Sequence, residues 1–420
     1  MQMAKGNERT NVMTRTMAVV VLAAVALAGC VPVSQRAGEA GPATFQDDVT
    51  FLKKYTDTVV LQADDGGAQV AVCPRLQGRV ATSTTSGPEG LSLGWTNREF
   101  LAARKNDPHF NPYGGEDRLW IGPEGGQFSI YFKKGEPFDL AHWYVPPAFN
   151  SESWDVSGRD LDRVMMRKDM PLVNYSGTVF NAGIRREVHL LNAAEIAQDL
   201  GMAPPAGVKT VAYESVNEIQ NAGKEPWKKE TGLLSMWILA MLNPSPATTV
   251  VVPYEEGPEA ELGPIVNDTY FGKVPAERLK VGHGLIYFKA DAKMRTKIGL
   301  SPKRAKPVLG SYDAKNQVLT IVQYTRPLGP ADYVNSMWEI QKNPYAGDTV
   351  NSYNDGPKLG AAEGLFYEIE TSSPAAAVAP GQSLKHVHRT FHFQGSEEAL
   401  DKIARPTLGV GIADIKKAFE

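Results

Sequence analysis

Two glutamates near the end of the chain, Glu368 and Glu370, have the residue type and the spacing for acid–base chemistry. They lie two residues apart in a segment of β-branched and aromatic residues, so a strand would place both carboxylates on one face, roughly 6.6 Å apart. Two carboxyl groups so placed could serve inverting glycoside hydrolysis, one as general acid and one as general base. The same pair could instead form cross-strand ion pairs on a solvated face.

A second candidate group lies earlier in the chain, where His142 is followed by Trp143 and Tyr144. An imidazole can donate or accept a proton near neutral pH, and the aromatic side chains beside it are suited to stacking on sugar rings. Arg118 can donate two parallel hydrogen bonds to sugar hydroxyls or to a uronate carboxylate. The alternatives are a loop histidine without a ligand and an arginine that pairs with the acids just before it.

Three histidines, His386, His388 and His392, share one face of a predicted strand. The first and the last lie about 20 Å apart along an extended chain, too far to bind one metal ion together. His386 and His388 alone could bind an ion with a carboxylate from elsewhere. The two cysteines, Cys30 and Cys73, exclude a cysteine-based zinc site, and the sequence has no nucleotide-binding glycine loop. We therefore predict neither a metal nor a cofactor.

The elements that must position these groups are mostly strands. Period-two alternation or β-branched and aromatic runs, separated by turn residues, occur at 58–63, 69–73, 127–132, 186–191, 248–254, 284–289, 317–324, 365–371 and 386–393. Helical patterns are fewer and shorter, at 44–55, 192–200, 396–404 and 412–419. No break in composition follows residue 43. We expect a mainly β fold in one domain, residues 44–420, built as a large antiparallel β-sandwich with a few short helices.

Charge excludes one broad class of function. The 420 residues carry 44 Lys and Arg against 47 Asp and Glu, a formal net charge of −3. A nucleic-acid-binding protein needs a basic excess or a basic stripe, and the sequence has neither. We therefore expect no nucleic-acid partner.

The first 30 residues resemble the export signal of bacterial lipoproteins. Basic residues precede an apolar run of about 12 residues, too short to span a membrane, which ends in Leu27-Ala28-Gly29-Cys30. The resemblance implies a signal peptide at 1–29, a lipidated Cys30 and a flexible tether over 30–43; an ordinary secretory peptide is the alternative. Because the residue after Cys30 is not Asp, the sorting pattern of such lipoproteins favours the outer membrane. We expect a protein of the cell envelope, anchored through its lipid.

Three segments resemble the galactose mutarotase-like superfamily, the large β-sandwich of aldose 1-epimerases and other carbohydrate-active enzymes. They are residues 76–83, Gly-Gly-Glu-Asp-Arg-Leu-Trp-Ile-Gly-Pro-Glu at 114–124, and Gly-Leu-Phe-Tyr-Glu-Ile-Glu-Thr at 364–371. The resemblance implies the supersandwich type of fold, Glu370 as general base, and Asp268 or Asp291 as the aspartate that binds sugar hydroxyls. The two histidine-containing elements of epimerases are not intact, although the segment at His142 is similar to part of one.

A family of uncharacterised bacterial lipoproteins with the same predicted fold is a closer resemblance, at 231–237, 297–300 and 351–357, and it implies no activity. The leading hypothesis is an exported lipoprotein that binds or processes carbohydrate, an epimerase-like enzyme with Glu370 as base and His142 as acid. The predicted substrate-binding residues are Arg118, Asp268, Glu368 and Trp143. A glycoside hydrolase or polysaccharide lyase on this fold is one alternative, and a non-catalytic glycan-binding lipoprotein is another. Convergence of Glu370, His142 and Arg118 in one cleft would favour an enzyme, and scatter would favour binding.

Overall fold

A computed structural model describes residues 43–357 and 365–420, and these are built mainly from strands. The strands are β1 (Val59–Gln62), β2 (Gln69–Cys73), β3 (Arg79–Thr84), β4 (Arg118–Gly122), β5 (Asp155–Arg159), β6 (Arg163–Val173), β7 (Val179–Leu190), β8 (Lys209–Asn221), β9 (Ser235–Leu242), β10 (Thr248–Pro253), β11 (Leu279–Gly282), β12 (Leu285–Lys289), β13 (Thr296–Leu300), β14 (Val308–Asp313), β15 (Val318–Tyr324), β16 (Val350–Asn354), β17 (Tyr367–Ser372) and β18 (Ser383–Gln394). The predicted mainly β class is confirmed.

The helices of the described residues are short. They are α1 (Phe45–Tyr55), α2 (Arg98–Ala103), α3 (Pro147–Asn150), α4 (Ala193–Leu200), α5 (Glu259–Leu262), α6 (Glu397–Leu408) and α7 (Ile412–Lys417). Helix α1 begins with a capping box, in which the Thr44 hydroxyl accepts from the Asp47 N–H and the Asp47 carboxylate accepts from the Thr44 N–H. No helix of the described residues is long and apolar enough to cross a membrane.

The strands form two large antiparallel sheets and one small sheet. The ten-stranded sheet has the order β11-β12-β10-β14-β15-β18-β8-β7-β6-β5, the five-stranded sheet β13-β16-β17-β9-β4, and the small sheet β1-β2-β3. One core lies between the two large sheets, where Ile369 of β17 packs in a cluster with Val250, Leu309 and Val322 of the ten-stranded sheet. The opposite face of that sheet is covered by α6 and α7 through residues such as Ile403 and Ile415. The predicted antiparallel sandwich with few short helices is confirmed.

One predicted strand is wrong. Residues 127–132 form turns rather than a strand, although Ile130, Tyr131 and Phe132 are almost completely buried. Backbone groups of this segment form hydrogen bonds within it. The Ser129 N–H donates to the Gly126 carbonyl, and the Ser129 hydroxyl donates to the Glu124 carbonyl. The turns place these three consecutive side chains in one cluster of the core.

Candidate functional site

The outer face of the five-stranded sheet carries most of the charged residues singled out in the sequence. The strand register places Lys297 beside Tyr353, Asn351 beside Glu370, and Trp237 between Ser372 and Trp120. Side chains alternate along a strand, so these residues share one face while Ile298, Ile369 and Ile238 point into the core. The sheet therefore collects residues from distant parts of the chain on a single surface.

A cavity of about 650 Å³ lies over this face, within the range of sites that enclose small organic ligands. We call it the Lys297 cavity. Loops build its walls, and five aromatic residues line it: Trp143, Trp237, Tyr270, Phe271 and Trp338. Trp143 and Trp338 in this wall are stacked on each other, with ring centroids 6.1 Å apart.

A buried ion pair lies at the inner end of the cavity. The Lys297 ammonium donates to both carboxylate oxygens of Glu370, at 2.9 and 2.8 Å, and the Trp237 indole N–H donates to the same carboxylate at 2.9 Å. Burial alone would lower the pKa of Lys297, but the facing Glu370 carboxylate, together with the charges of Glu368 and Glu124, outweighs burial and raises the pKa. Lys297 lines the cavity, whereas the Glu370 side chain is fully buried behind it. The lysine cation, rather than the predicted base, faces the cavity.

Glu368 and Arg118 form a second buried pair on the same face. An Arg118 amino group lies 2.7 Å from a Glu368 carboxylate oxygen, and its guanidinium lies 5.0 Å from the centre of the Trp120 ring. Burial raises the pKa of Glu368 to about 7, although Arg118 opposes the shift. Neither residue lines the Lys297 cavity, so the pair supports the sheet surface beside it.

A tyrosine–aspartate pair forms another wall of the cavity. The Tyr270 hydroxyl donates to Asp348 at 2.5 Å, and the Asn267 amide donates to the same carboxylate oxygen at 3.2 Å. The Asn351 amide in turn donates to the Tyr270 oxygen at 3.1 Å. Burial raises the pKa of Asp348, while the Tyr270 bond opposes the shift. This network fixes polar atoms at positions where a ligand hydroxyl could bind.

Glu124 adds a further carboxyl group to the cavity lining. Burial raises its pKa, the Lys297 charge opposes that shift, and the nearby Glu370 charge adds to it. The indole side chains of Trp338 and Trp143 beside it lower the pKa. A carboxyl group with a raised pKa inside a cavity is suited to general acid catalysis.

His142 lies outside the Lys297 cavity. Its Nδ1 is 2.7 Å from Asp139 and its Nε2 is 3.4 Å from Glu136, and with Glu136 it lines a separate depression. Asp139 and Trp143, on either side of it in sequence, do line the cavity. The structure thus brings Trp143 to the cavity but separates His142 from Glu370, because the loop directs the imidazole to its other side.

Asp268 is buried and paired with a lysine. The Lys273 ammonium lies 2.7 Å from one of its carboxylate oxygens, and the Asp268 backbone carbonyl accepts from the Val274 N–H. Its neighbour Asn267 lines the cavity, but Asp268 does not. Asp291, the other aspartate considered, pairs with Arg278.

The three histidines of β18 lie in the interior between the large sheets. His386 Nε2 and His388 Nδ1 both contact the Thr371 hydroxyl, at 3.0 and 2.9 Å, and His392 Nε2 lies 2.9 Å from Glu116. Burial lowers the pKa of His386 to about 3 and that of His388 to about 4. In residues 43–357 and 365–420, no three His, Cys, Asp or Glu side chains are grouped as a metal site would require.

Residues that line the cavity but are not predicted from the sequence include Glu124, Tyr270, Lys297 and Asp348. Glu124 ends the segment 114–124 and Lys297 begins the segment 297–300. Both residues therefore lie in segments that carry a family resemblance. Nothing in the spacing distinguishes Asp348 from other loop aspartates. Cys30, the predicted lipidation site, lies outside the described residues.

The fold and this cavity define a β-sandwich protein with a polar, aromatic-walled pocket on the smaller of its two main sheets. The chain belongs to DUF6786, a family of unknown function whose model matches residues 43–419. No curated protein matches the sequence.

Solved structures similar to the chain include galactose mutarotase-like proteins. One similar structure is the Slr1438 protein from Synechocystis sp. PCC 6803, with a TM-score of 0.49, 13% identity, and coverage of 81% of this chain and 96% of that one. A galactose mutarotase-like protein from Lactobacillus casei has a TM-score of 0.46 and 8% identity, covering 80% and 100%. A galactose mutarotase related enzyme from Lactobacillus acidophilus has a TM-score of 0.44 and 10% identity, covering 81% and 98%.

Proposed function

We propose that the protein binds carbohydrate in the Lys297 cavity. The observation that carries the proposal is the combination of aromatic walls with fixed hydrogen-bonding groups in one enclosed space. Sugar rings present apolar C–H faces that pack on aromatic side chains and hydroxyls that require polar partners. Trp338 and Phe271 supply such faces, while Tyr270, Asp348 and Lys297 supply such partners. The sequence resemblance to carbohydrate-active proteins supports the same ligand class.

Binding accounts for the positions of the predicted residues better than the catalytic hypothesis does. An epimerase needs a base and an acid on opposite sides of one sugar. Glu370 is enclosed behind Lys297 and Trp237, and His142 lines another depression. For those two residues to act together, the Lys297 pair would have to open and the His142 loop would have to turn.

A second candidate function is proton transfer to a bound sugar, as in an epimerase-like enzyme. The observation that favours it is Glu124, which reaches the cavity with a pKa raised by burial. Glu124 could protonate a ring oxygen, and Asp348 could accept a proton when it is ionised. In this candidate the acid is Glu124 rather than His142.

Proton NMR of the purified protein with neutral and uronate-containing saccharides separates these functions. Binding without a new chemical species supports the first candidate, and accelerated anomeric exchange that is lost in Glu124→Gln supports the second. New reducing-end or vinyl signals would instead reveal hydrolysis or elimination. No interaction with any saccharide would overturn the proposal.

A matched pair of variants locates the site. Phe271→Ala removes a half-exposed ring from the cavity lining, and Leu161→Ala removes an exposed side chain elsewhere. We expect Phe271→Ala to weaken binding roughly three- to tenfold, the size of one aromatic contact, and Leu161→Ala to leave it unchanged. Equal effects of the two variants would place the ligand outside the cavity.

We also propose that Cys30 carries the lipid that anchors the protein in the cell envelope, at the outer membrane. The lipobox-like Leu27-Ala28-Gly29-Cys30 supports this location. Cys30→Ser should release the protein from the membrane fraction into the soluble fraction. Retention of the variant in the membrane fraction would contradict the anchor.

A further inference from the structure

Arg295 stands at the edge of the Lys297 cavity without an acidic partner among the described residues. It is exposed and lines the cavity, and within residues 43–357 and 365–420 it forms no ion pair. We propose that the carbohydrate carries an anionic substituent, a carboxylate or a sulfate ester, which Arg295 binds; this inference rests on the proposed function.

The Arg295 side chain is held in place by its neighbours. Its Nε donates to the Tyr353 hydroxyl at 3.2 Å, and its guanidinium lies 3.8 Å from the centre of the Phe271 ring. The two terminal amino groups make no hydrogen bond to the part of the chain that the structure describes. Stacking and one hydrogen bond restrict the guanidinium before a ligand arrives, which lowers the entropic cost of binding.

Arg295 differs in this respect from the other arginines near the sheet. Arg118 is paired with Glu368 and Arg278 with Asp291, and both arginines are buried. Those guanidiniums already have carboxylate partners from the chain itself. A guanidinium fork matches two oxygens of a carboxylate or a sulfate, so an external anion can take that role at Arg295.

The other charges of the cavity limit how much negative charge the ligand carries. Lys297 is paired with Glu370, and Asp348 accepts hydrogen bonds from Tyr270 and Asn267. The exposed acids Asp139 and Glu339 also line the cavity and would repel a dense polyanion. These surroundings favour a ligand with a single anionic group next to Arg295 over a highly charged polymer.

The test compares acidic saccharides with neutral counterparts. The probes are galacturonate and glucuronate disaccharides, their methyl esters, and a sulfated disaccharide with its desulfated form, with Kd measured by calorimetry. We expect at least one acidic probe to bind about tenfold more tightly than its neutral counterpart, the effect of one charge-assisted contact. Preference for the carboxylate or for the sulfate identifies which anion the site takes.

Variants of Arg295 assign the preference to this residue. Arg295→Gln should reduce the ratio of the neutral Kd to the acidic Kd to within about twofold, and Arg295→Lys should retain part of this preference. Arg167→Gln, at an exposed arginine outside the cavity, is the matched control and should retain all of it. Equal binding of acidic and neutral probes, or a preference that survives Arg295→Gln, would overturn this inference alone. Failure to bind any probe would overturn the proposed function as well.

Discussion

Two buried ion pairs in this protein have the same chemistry but different surroundings. Arg186 and Asp117 lie 2.6 Å apart between the large sheets, and both side chains are 0% exposed. Lys297 and Glu370 lie 2.8 Å apart on the outer face of the five-stranded sheet, and Lys297 lines a cavity. Burial and ion pairing are therefore shared by a structural pair and a candidate ligand-binding pair. Access from a cavity is what distinguishes them.

The interior pair is part of a polar network that has no opening to the Lys297 cavity. Arg186 also donates to the Gly78 carbonyl and to the Asn217 side chain. Burial would raise the pKa of Asp117, but the charge and hydrogen bond of Arg186, together with His388 and Ser215, outweigh burial and lower the pKa. Such a network holds β4, β7 and β8 in register and needs no ligand to explain it.

The largest expected effect comes from breaking the interior pair. Arg186→Met should lower the free energy of unfolding by about 3–5 kcal/mol, because Asp117 would remain buried without its partner. Urea denaturation measures this, and the double variant Arg186→Met/Asp117→Asn should recover part of the loss. A loss below about 1 kcal/mol would show that water or other groups satisfy Asp117.

Breaking the cavity pair should cost less. Lys297→Met should lower the free energy of unfolding by about 2–3 kcal/mol, since water in the cavity can solvate the Glu370 carboxylate that is left behind. The same variant should weaken saccharide binding, whereas Arg186→Met should not do so while it remains folded. If Lys297→Met costs as much stability as Arg186→Met and leaves binding intact, the distinction between the two pairs is wrong.

A smaller effect is expected from Glu368, next to the cavity pair. Its pKa rises from an ordinary 4.5 to about 7, so between these values the folded state holds a proton that the unfolded state has released. The resulting stability is complete below about pH 4.5 and is lost as the pH rises through about 7. Between pH 5 and pH 7 the stability of the wild type should fall relative to that of Glu368→Gln. Parallel pH profiles of the two proteins would contradict the raised pKa.

The strands that could be predicted are runs of β-branched and aromatic residues bounded by turn residues, whether one face or both faces are buried. Residues 317–324 and 386–393 show the pattern of β15 and β18, which pack one face on the five-stranded sheet and the other on helices. Strand β9, Ser235–Leu242, is equally buried, but Met, Leu and Ala make up five of its eight residues and do not indicate a strand. It nevertheless carries Trp237, which binds Glu370.

The candidate site was predictable only in part, because its residues meet through non-local strand pairing. That Glu368 and Glu370 share a face follows from their spacing alone. That Lys297 faces Glu370 depends on the order β13-β16-β17, which no local pattern reveals. The position of His142 depends on the conformation of a loop, and loop conformations are the least determined by periodicity.

The tryptophan indole N–H signals can show whether carbohydrate binds in the Lys297 cavity. The chain has seven tryptophans, which a two-dimensional ¹H–¹⁵N spectrum can resolve and single substitutions can assign. Trp143, Trp237 and Trp338 line the cavity, and Trp95, Trp154 and Trp227 lie outside its lining. Titration with a bound saccharide should shift the signals of the first three and leave those of the last three in place. Shifts confined to Trp95, Trp154 or Trp227, with the cavity signals unmoved, would show that the saccharide binds outside the Lys297 cavity.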